Sequence, residues 1–155
     1  RHGLSVTWLP SYGPEMRGGT ANCSVVLSRD PIGSPVVESP ELLIAMNGPS
    51  LEKFLPRVAP GGLLLYNASI IEQAPVREGI TIVGVPAAEM AREAGSERAA
   101  NVVMLGVVAG WYDSFGPEAM QSVLADFFPK KDLLALNARA LEAGMAWGKK
   151  MRTGQ

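Results

Sequence analysis

Cysteine and histidine are almost missing from this chain, with Cys23 and His2 the only ones in 155 residues. One thiol cannot form an intrachain disulfide, and no Cys-x-x-Cys is present to hold zinc or an iron–sulfur cluster. A Ser-His or Cys-His nucleophilic pair would have to recruit His2, close to the first residue. No two carboxylates have a spacing that suggests acid–base work, so the chain is expected to hold no catalytic residue and no metal site. Cys23 is expected to be buried, in a reducing cytoplasm. Charge imbalance is missing too. The net charge is −1, and no basic cluster exceeds Lys130-Lys131 or Lys149-Lys150, which leaves no electrostatic footprint for nucleic acid. The longest apolar run, Val102 to Tyr112, is shorter than the roughly 20 residues needed to cross a bilayer. As a helix it is apolar on every side and must be covered, by this chain or by a partner.

Glycine and proline, by contrast, are plentiful and spread along the chain, which reads them as turns. Between them, strand-like and helix-like segments alternate. Strands are expected at Leu4 to Leu9, Cys23 to Leu27, Leu42 to Met46, Leu63 to Asn67 and Ile80 to Val85. Leu42 to Met46 and Leu63 to Asn67 are continuous apolar runs of the fully buried, parallel type. Pro31 to Val37, with Pro35 inside, reads as an edge or hairpin element. Helices are expected from an N-cap at Ser50 through Leu55, over Ala87 to Ala94 with Gly95 as its cap, and from a cap at Asn101 to Tyr112. Two more run from Gly116-Pro117 to Phe128 and over Leu133 to Met151. The alternation argues for α/β architecture: a three-layer α/β/α sandwich around a mostly parallel sheet, formed as a single domain over residues 1–155.

Ligands of open parallel sheets bind beyond the carboxyl ends of the strands. If the strands are parallel, Ser11, Asn47, Asn67 and Pro86-Ala87 converge on one edge. Asn is equally a common turn or cap residue, and that reading stands beside the ligand reading for Asn47 and Asn67. The richest segment is Tyr12-Gly13-Pro14-Glu15-Met16-Arg17-Gly18-Gly19-Thr20-Ala21-Asn22. Tyr12 offers an aromatic plane, Arg17 a planar cation, and Gly18, Gly19 and Thr20 backbone amides able to cradle an anionic oxygen. A plain surface connection is the alternative.

That segment, followed by a strand and Asp30-Pro31-Ile32, resembles the gamma subunit of 2-oxoacid:ferredoxin oxidoreductases. The likeness continues through Pro40 to Asn47, Pro60-Gly61-Gly62, Val85-Pro86-Ala87, Asn101 to Gly106 and the long last helix. The resemblance implies a subunit of a complex that converts a 2-oxoacid and coenzyme A to acyl-CoA and carbon dioxide and reduces ferredoxin. It implies alpha, beta and ferredoxin-like delta partners that carry thiamine diphosphate, Mg2+ and the iron–sulfur clusters. This chain would bind no such cofactor and would be inactive alone, in the cytoplasm, without membrane or nucleic-acid contacts. Its expected share is a wall of the coenzyme A or substrate pocket, built from Tyr12, Gly13, Glu15, Arg17, Gly18, Gly19, Thr20, Asn22, Asn47 and Asn67. Gamma subunits begin with a strand, a Gly-x-Gly-Gly-Gln-Gly loop and a helix. Arg1-His2-Gly3 reads instead as a helix end, so roughly the first βα unit is expected to lie outside this sequence. An independent nucleotide-binding enzyme and a structural adaptor are the alternatives. The former lacks a Gly-x-Gly-x-x-Gly fingerprint, and the latter leaves Arg17-Gly18-Gly19 unexplained.

The last helix carries two apolar stripes. Leu134, Ala138, Leu141, Met145 and Gly148 form one, and Leu136, Ala140, Ala143, Trp147 and Met151 the other. A helix on the surface of a lone domain needs one such face. The second, with Leu136, Ala140, Trp147 and Met151, is therefore expected to meet another chain. The alternative is a helix folded across its own domain with Trp147 at the rim.

Overall fold

The computed structural model of the chain describes residues 3–11, 21–113 and 115–154. Its architecture is mixed α/β, as the alternation of segments implies. Strands β1 (Ser5–Ser11) and β2 (Asn22–Ser28) are followed by β3 (Leu42–Ala45), helix α1 (Gly48–Phe54), β4 (Leu63–Asn67) and β5 (Thr81–Val85). Four helices complete the order: α2 (Ala87–Ala94), α3 (Ala100–Tyr112), α4 (Pro117–Phe127) and α5 (Lys131–Thr153). By packing, the chain divides into one compact unit of Arg1–Leu64 with Val76–Ile82 and a second of Leu65–Pro75 with Val83–Gln155.

Three strands, in the order β3-β4-β5, form the parallel sheet. All five residues of the central strand β4 are buried, as its unbroken apolar run requires. The strand β3, at the edge of this sheet among the described residues, is not the fully buried strand expected: Ile44 is 41% exposed. A second correction concerns β1 and β2. They do not extend the parallel sheet but pair with each other, antiparallel, in register from Ser5 opposite Ser28 to Ser11 opposite Asn22. Pro31 to Val37 forms no strand.

In the first unit, side chains hold the connections. Asn47, not Ser50, caps α1: its Oδ1 accepts from the Ser50 amide at 2.9 Å. Arg57 donates through Nε to the Glu38 carbonyl at 3.1 Å and through Nη2 to that of Val37 at 2.6 Å. Arg77 reaches back to the short 3-10 turn over Leu55–Arg57, donating to the carbonyls of Leu55 and, at 2.6 Å, Val58. Part-buried carbonyls at a helix end need such donors. Arg77→Ala is therefore expected to destabilise the fold by about 1–3 kcal/mol, through two acceptors left unpaired. Urea unfolding with an unchanged m-value checks this.

The second unit is built on the contact between α3 and α5. Val103, Met104 and Val107 of α3 are fully buried, so its own chain covers most of the all-apolar helix, while Leu105 and Tyr112 remain 42% and 45% exposed. Its N-cap is Ala99; Asn101 lies inside the first turn, exposed. The two helices touch backbone to backbone. A Cβ placed on Gly106 would stand 2.3 Å from the Leu141 carbonyl oxygen, and one on Gly144 2.1 Å from that of Val103. One turn further, a Cβ on Gly110 would meet the Met145 oxygen at 2.1 Å, and one on Gly148 the Val107 oxygen at 2.2 Å. Each helix thus presents two glycines four residues apart, and each pair receives the other helix's carbonyls. Arg139 of α5 also donates from Nε to the last carbonyl of α2, that of Ala94, at 3.0 Å.

This packing draws on the α5 stripe that is expected to meet another chain. The buried line runs Asn137, Ala140, Leu141, Gly144, Gly148, between the two predicted stripes. Ala140 is 0% exposed, and Leu136, Trp147 and Met151 are half-buried. The helix needs parts of both stripes for its own unit.

Candidate functional site

The carboxyl ends of β4 and β5 meet the start of α2 within the second unit. Tyr66 and Asn67 end β4 in buried positions, and Pro86 turns the chain from β5 into α2. Asn67 is 1% exposed, and its Oδ1 accepts from the Ser69 amide at 3.2 Å. The Asn67 carbonyl accepts from Ile70 and Ile71, closing the turn. The Ala68 amide donates to the Val85 carbonyl at 2.8 Å and extends the ladder past the strand. Asn67 is thus committed to shaping this turn, the use Asn favours.

Ser69 stands at the amino end of α2. Pro86 supplies no side-chain cap there, and Ser69 takes over from a distant loop. Its Oγ accepts from the Ala88 amide at 2.9 Å and donates to Glu89 Oε2. Glu89 lies in the first turn, where the helix dipole favours an anion. The Ser69 hydroxyl, above all, holds the Glu89 carboxyl below its ordinary value of 4.5. Glu89 escaped the sequence reading because an acid in a first helical turn is unremarkable until the loop opposite is known.

The sign of the pH effect follows from that lowered value. Ionised Glu89 contributes stability above the unfolded-state value of 4.5, and the contribution is lost as pH falls through the lower folded-state value. Glu89→Gln is expected to lower stability at neutral pH, where the ionised carboxylate contributes, and to flatten the stability profile below about pH 4.5. Ser69→Ala is expected to cost about 0.5–2 kcal/mol at neutral pH as well, because the Ala88 amide loses its cap. Thermal melts from pH 3 to 7 check both (a range set by the carboxylate's ordinary titration).

In the first unit, the residues from Tyr12 to Thr20 lie outside the described ones, so Tyr12, Gly13, Glu15, Arg17, Gly18, Gly19 and Thr20 are placed only by connectivity. They join β1 to β2, whose last and first residues, Ser11 and Asn22, face each other in the ladder. Asn22 is half-buried there. Cys23 is exposed, against expectation, because it shares the outward face of β2 with Val25 and Leu27. Asn47, at the end of β3, spends its Oδ1 on the α1 cap. Among the described residues, no group of three or more His, Cys, Asp or Glu side chains stands ready for a metal ion.

Comparison with known proteins decides the family. The model of the pyruvate ferredoxin/flavodoxin oxidoreductase family matches residues 1–147. This chain belongs to that family. It is 40% identical over 155 residues to the ketoisovalerate oxidoreductase subunit VorA of Methanothermobacter marburgensis, covering 99% of this chain and 32% of the relative. It is 31% identical over 133 residues to the 2-oxoglutarate synthase subunit KorC of Methanocaldococcus jannaschii, covering 82% of this chain and 71% of KorC. The chain therefore spans about a third of VorA but most of KorC. Among solved structures, it superimposes on the 2-oxoglutarate:ferredoxin oxidoreductase of Magnetococcus marinus, determined with 2-oxoglutarate, coenzyme A and succinyl-CoA bound. The TM-score is 0.85 at 26% identity, over 96% of this chain and 26% of that one. The gamma subunit of a keto/oxoacid ferredoxin oxidoreductase from Geobacter sulfurreducens shares the fold, with a TM-score of 0.78 at 23% identity.

Proposed function

We propose that this chain is the gamma-type component of a thiamine-diphosphate-dependent 2-oxoacid:ferredoxin oxidoreductase, working in the cytoplasm with alpha-, beta- and ferredoxin-like delta-type partners. The observation that carries the reading is the 40% identity to a ketoisovalerate oxidoreductase subunit across 99% of the chain. The KorC likeness points to the same reaction class with another substrate. The higher identity to VorA puts branched-chain 2-oxoacids ahead of 2-oxoglutarate, with pyruvate third.

Thiamine diphosphate, held elsewhere in the complex, would supply a nucleophilic carbon and an electron sink for decarboxylation of the 2-oxoacid. The donor set of this chain does not suit an iron–sulfur cluster, which takes four ligands, chiefly thiolates, where this chain offers Cys23 alone. Its contribution is binding and orientation. Tyr12 stacks on a planar group, Arg17 pairs with a phosphate or carboxylate, and the Gly18, Gly19 and Thr20 amides hold an anionic oxygen of coenzyme A or the 2-oxoacid. Gly13, Glu15 and Asn22 shape the segment, while the roles of Asn47 and Asn67 are to fix the turns described above.

The test is co-expression with the remaining chains of the complex and assay of coenzyme A-dependent viologen reduction. Ketoisovalerate, 2-oxoglutarate and pyruvate are compared as substrates. Activity of the complex with one of them, and none from this chain alone, is expected. Turnover by the chain alone, surviving removal of contaminants, refutes the subunit reading.

A further inference from the structure

The ribbon of β1 and β2 wears its apolar side outward. Val6 lies opposite Leu27 and Trp8 opposite Val25, and directly opposed residues share a face. These four side chains are 58%, 51%, 63% and 52% exposed, respectively. The opposite face is the more polar one: Ser5, Thr7, Ser24 and Ser28 are half-buried there beside Val26, with Leu9 40% exposed. A ribbon folding only for its own unit would place the two faces the other way round. Trp8 alone offers on the order of 150 Å² of exposed surface, taking a full indole as about 250 Å². With its three neighbours it makes a contiguous patch of the size that marks interaction sites. Neither strand contains a charged residue, in a chain that is 19% charged.

We propose that this face of the ribbon is the docking surface for another protein chain of the oxidoreductase, through an apolar and uncharged patch on that chain. The inference rests on the subunit reading above. Two further observations select that occupant. The relatives VorA and the Magnetococcus marinus enzyme carry the equivalent of this chain as 32% and 26% of a longer polypeptide, so in them more protein of the same complex is covalently at hand. A surface without charges also selects a partner by shape and apolar area, which suits a permanent assembly and not a steered transient encounter. Docking the ribbon would fix both ends, Ser11 and Asn22, of the segment that carries Arg17.

The experiment uses the full chain co-expressed with the other chains of the complex. Amide hydrogen exchange over residues 5–11 and 22–28 is compared in the complex and in the isolated chain. Trp8→Asp and Val25→Lys, at exposed positions, are compared with Trp8→Phe for partner affinity. Protection of the ribbon on assembly is expected. Affinity should weaken roughly 30-fold or more in the charged variants, as for a central aromatic anchor, and largely survive in Trp8→Phe. Circular dichroism shows whether each variant remains folded, and a variant that unfolds when isolated would mean that the face serves its own unit, overturning the proposal. An assembled complex in which the ribbon exchanges as in the free chain overturns it too, and leaves the subunit reading intact. Protection in the isolated chain through self-association names a second copy as the occupant and also overturns it. Failure of the wild-type chain to bind any of the other chains removes the subunit reading itself, and the docking proposal with it.

Discussion

Gly144→Val is expected to be the most damaging single substitution in the second unit. In an exposed helix interior, replacing glycine with a larger residue stabilises or is neutral, since glycine costs about 1 kcal/mol relative to alanine. Here the sign reverses. The new Cβ would lie 2.1 Å from the Val103 carbonyl oxygen and 3.0 Å from the Gly106 Cα. Backbone cannot swing aside as a side chain can, so α3 and α5 must separate along their whole contact. Separation loosens Leu141, Val103 and Val107 together, which are all fully buried. The cost should reach or pass the upper end of the ~1–3 kcal/mol typical of overpacking, a fall in Tm of roughly 6–12 °C for a chain of this size. Gly144→Ala is expected to fall in the same direction by less. Gly33, with nothing within 4 Å of its Cβ, is the control, and Gly33→Ala should leave the melt unchanged. Equal melts for Gly144→Val and wild type would mean that the two helices do not meet as closely as described.

The glycine spacing behind this contact was visible in the sequence, as Gly106-x-x-x-Gly110 and Gly144-x-x-x-Gly148. What one sequence could not show was that the two pairs face each other, because that depends on which helices are neighbours. Local punctuation was more legible. Gly95 ends α2 and Gly116-Pro117 opens α4, where backbone chemistry alone sets the boundary. The continuous run Leu63 to Asn67 likewise announced a strand covered on both faces. Misreadings arose where tertiary context chooses between equivalent local options. Val/Leu-rich β1 suits a parallel strand as well as half of an antiparallel ribbon, and only pairing decides. Cys23 and Val25 alternate with Ser24 and Val26, but the pattern does not say which side meets water. Asn47 and Asn67 carried two readings, and their hydrogen bonds favour turn and cap. The family resemblance, resting on motifs distributed over the chain, was the most durable part of the sequence reading, because it does not depend on pairing at all.

Arg17→Ala in the assembled complex is expected to raise the apparent KM for coenzyme A or for the 2-oxoacid by about 10- to 150-fold. That range is the worth of one charge-assisted hydrogen bond to an anion, roughly 1.5–3 kcal/mol. Coenzyme A brings phosphates and the 2-oxoacid a carboxylate, and a guanidinium matches either with two parallel bonds. Arg17→Lys should recover only part of the loss, since an ammonium keeps the charge and loses the fork. Gly19→Val should resemble Arg17→Ala if the adjoining amides approach the same anion, because a branched side chain obstructs close backbone approach. A competing role is internal. Arg17 could pair with Glu15 and merely set the conformation of the segment between β1 and β2. Glu15→Ala would then reproduce Arg17→Ala, and both would depress turnover without selecting one ligand. A third role, pairing with an acid on a neighbouring chain, would appear as weaker assembly at raised salt with unchanged constants in whatever complex remains. Steady-state kinetics with coenzyme A and the 2-oxoacid varied separately distinguish the three, because only direct contact raises one KM while sparing the other. Unchanged constants for both ligands would overturn direct contact between Arg17 and either of them.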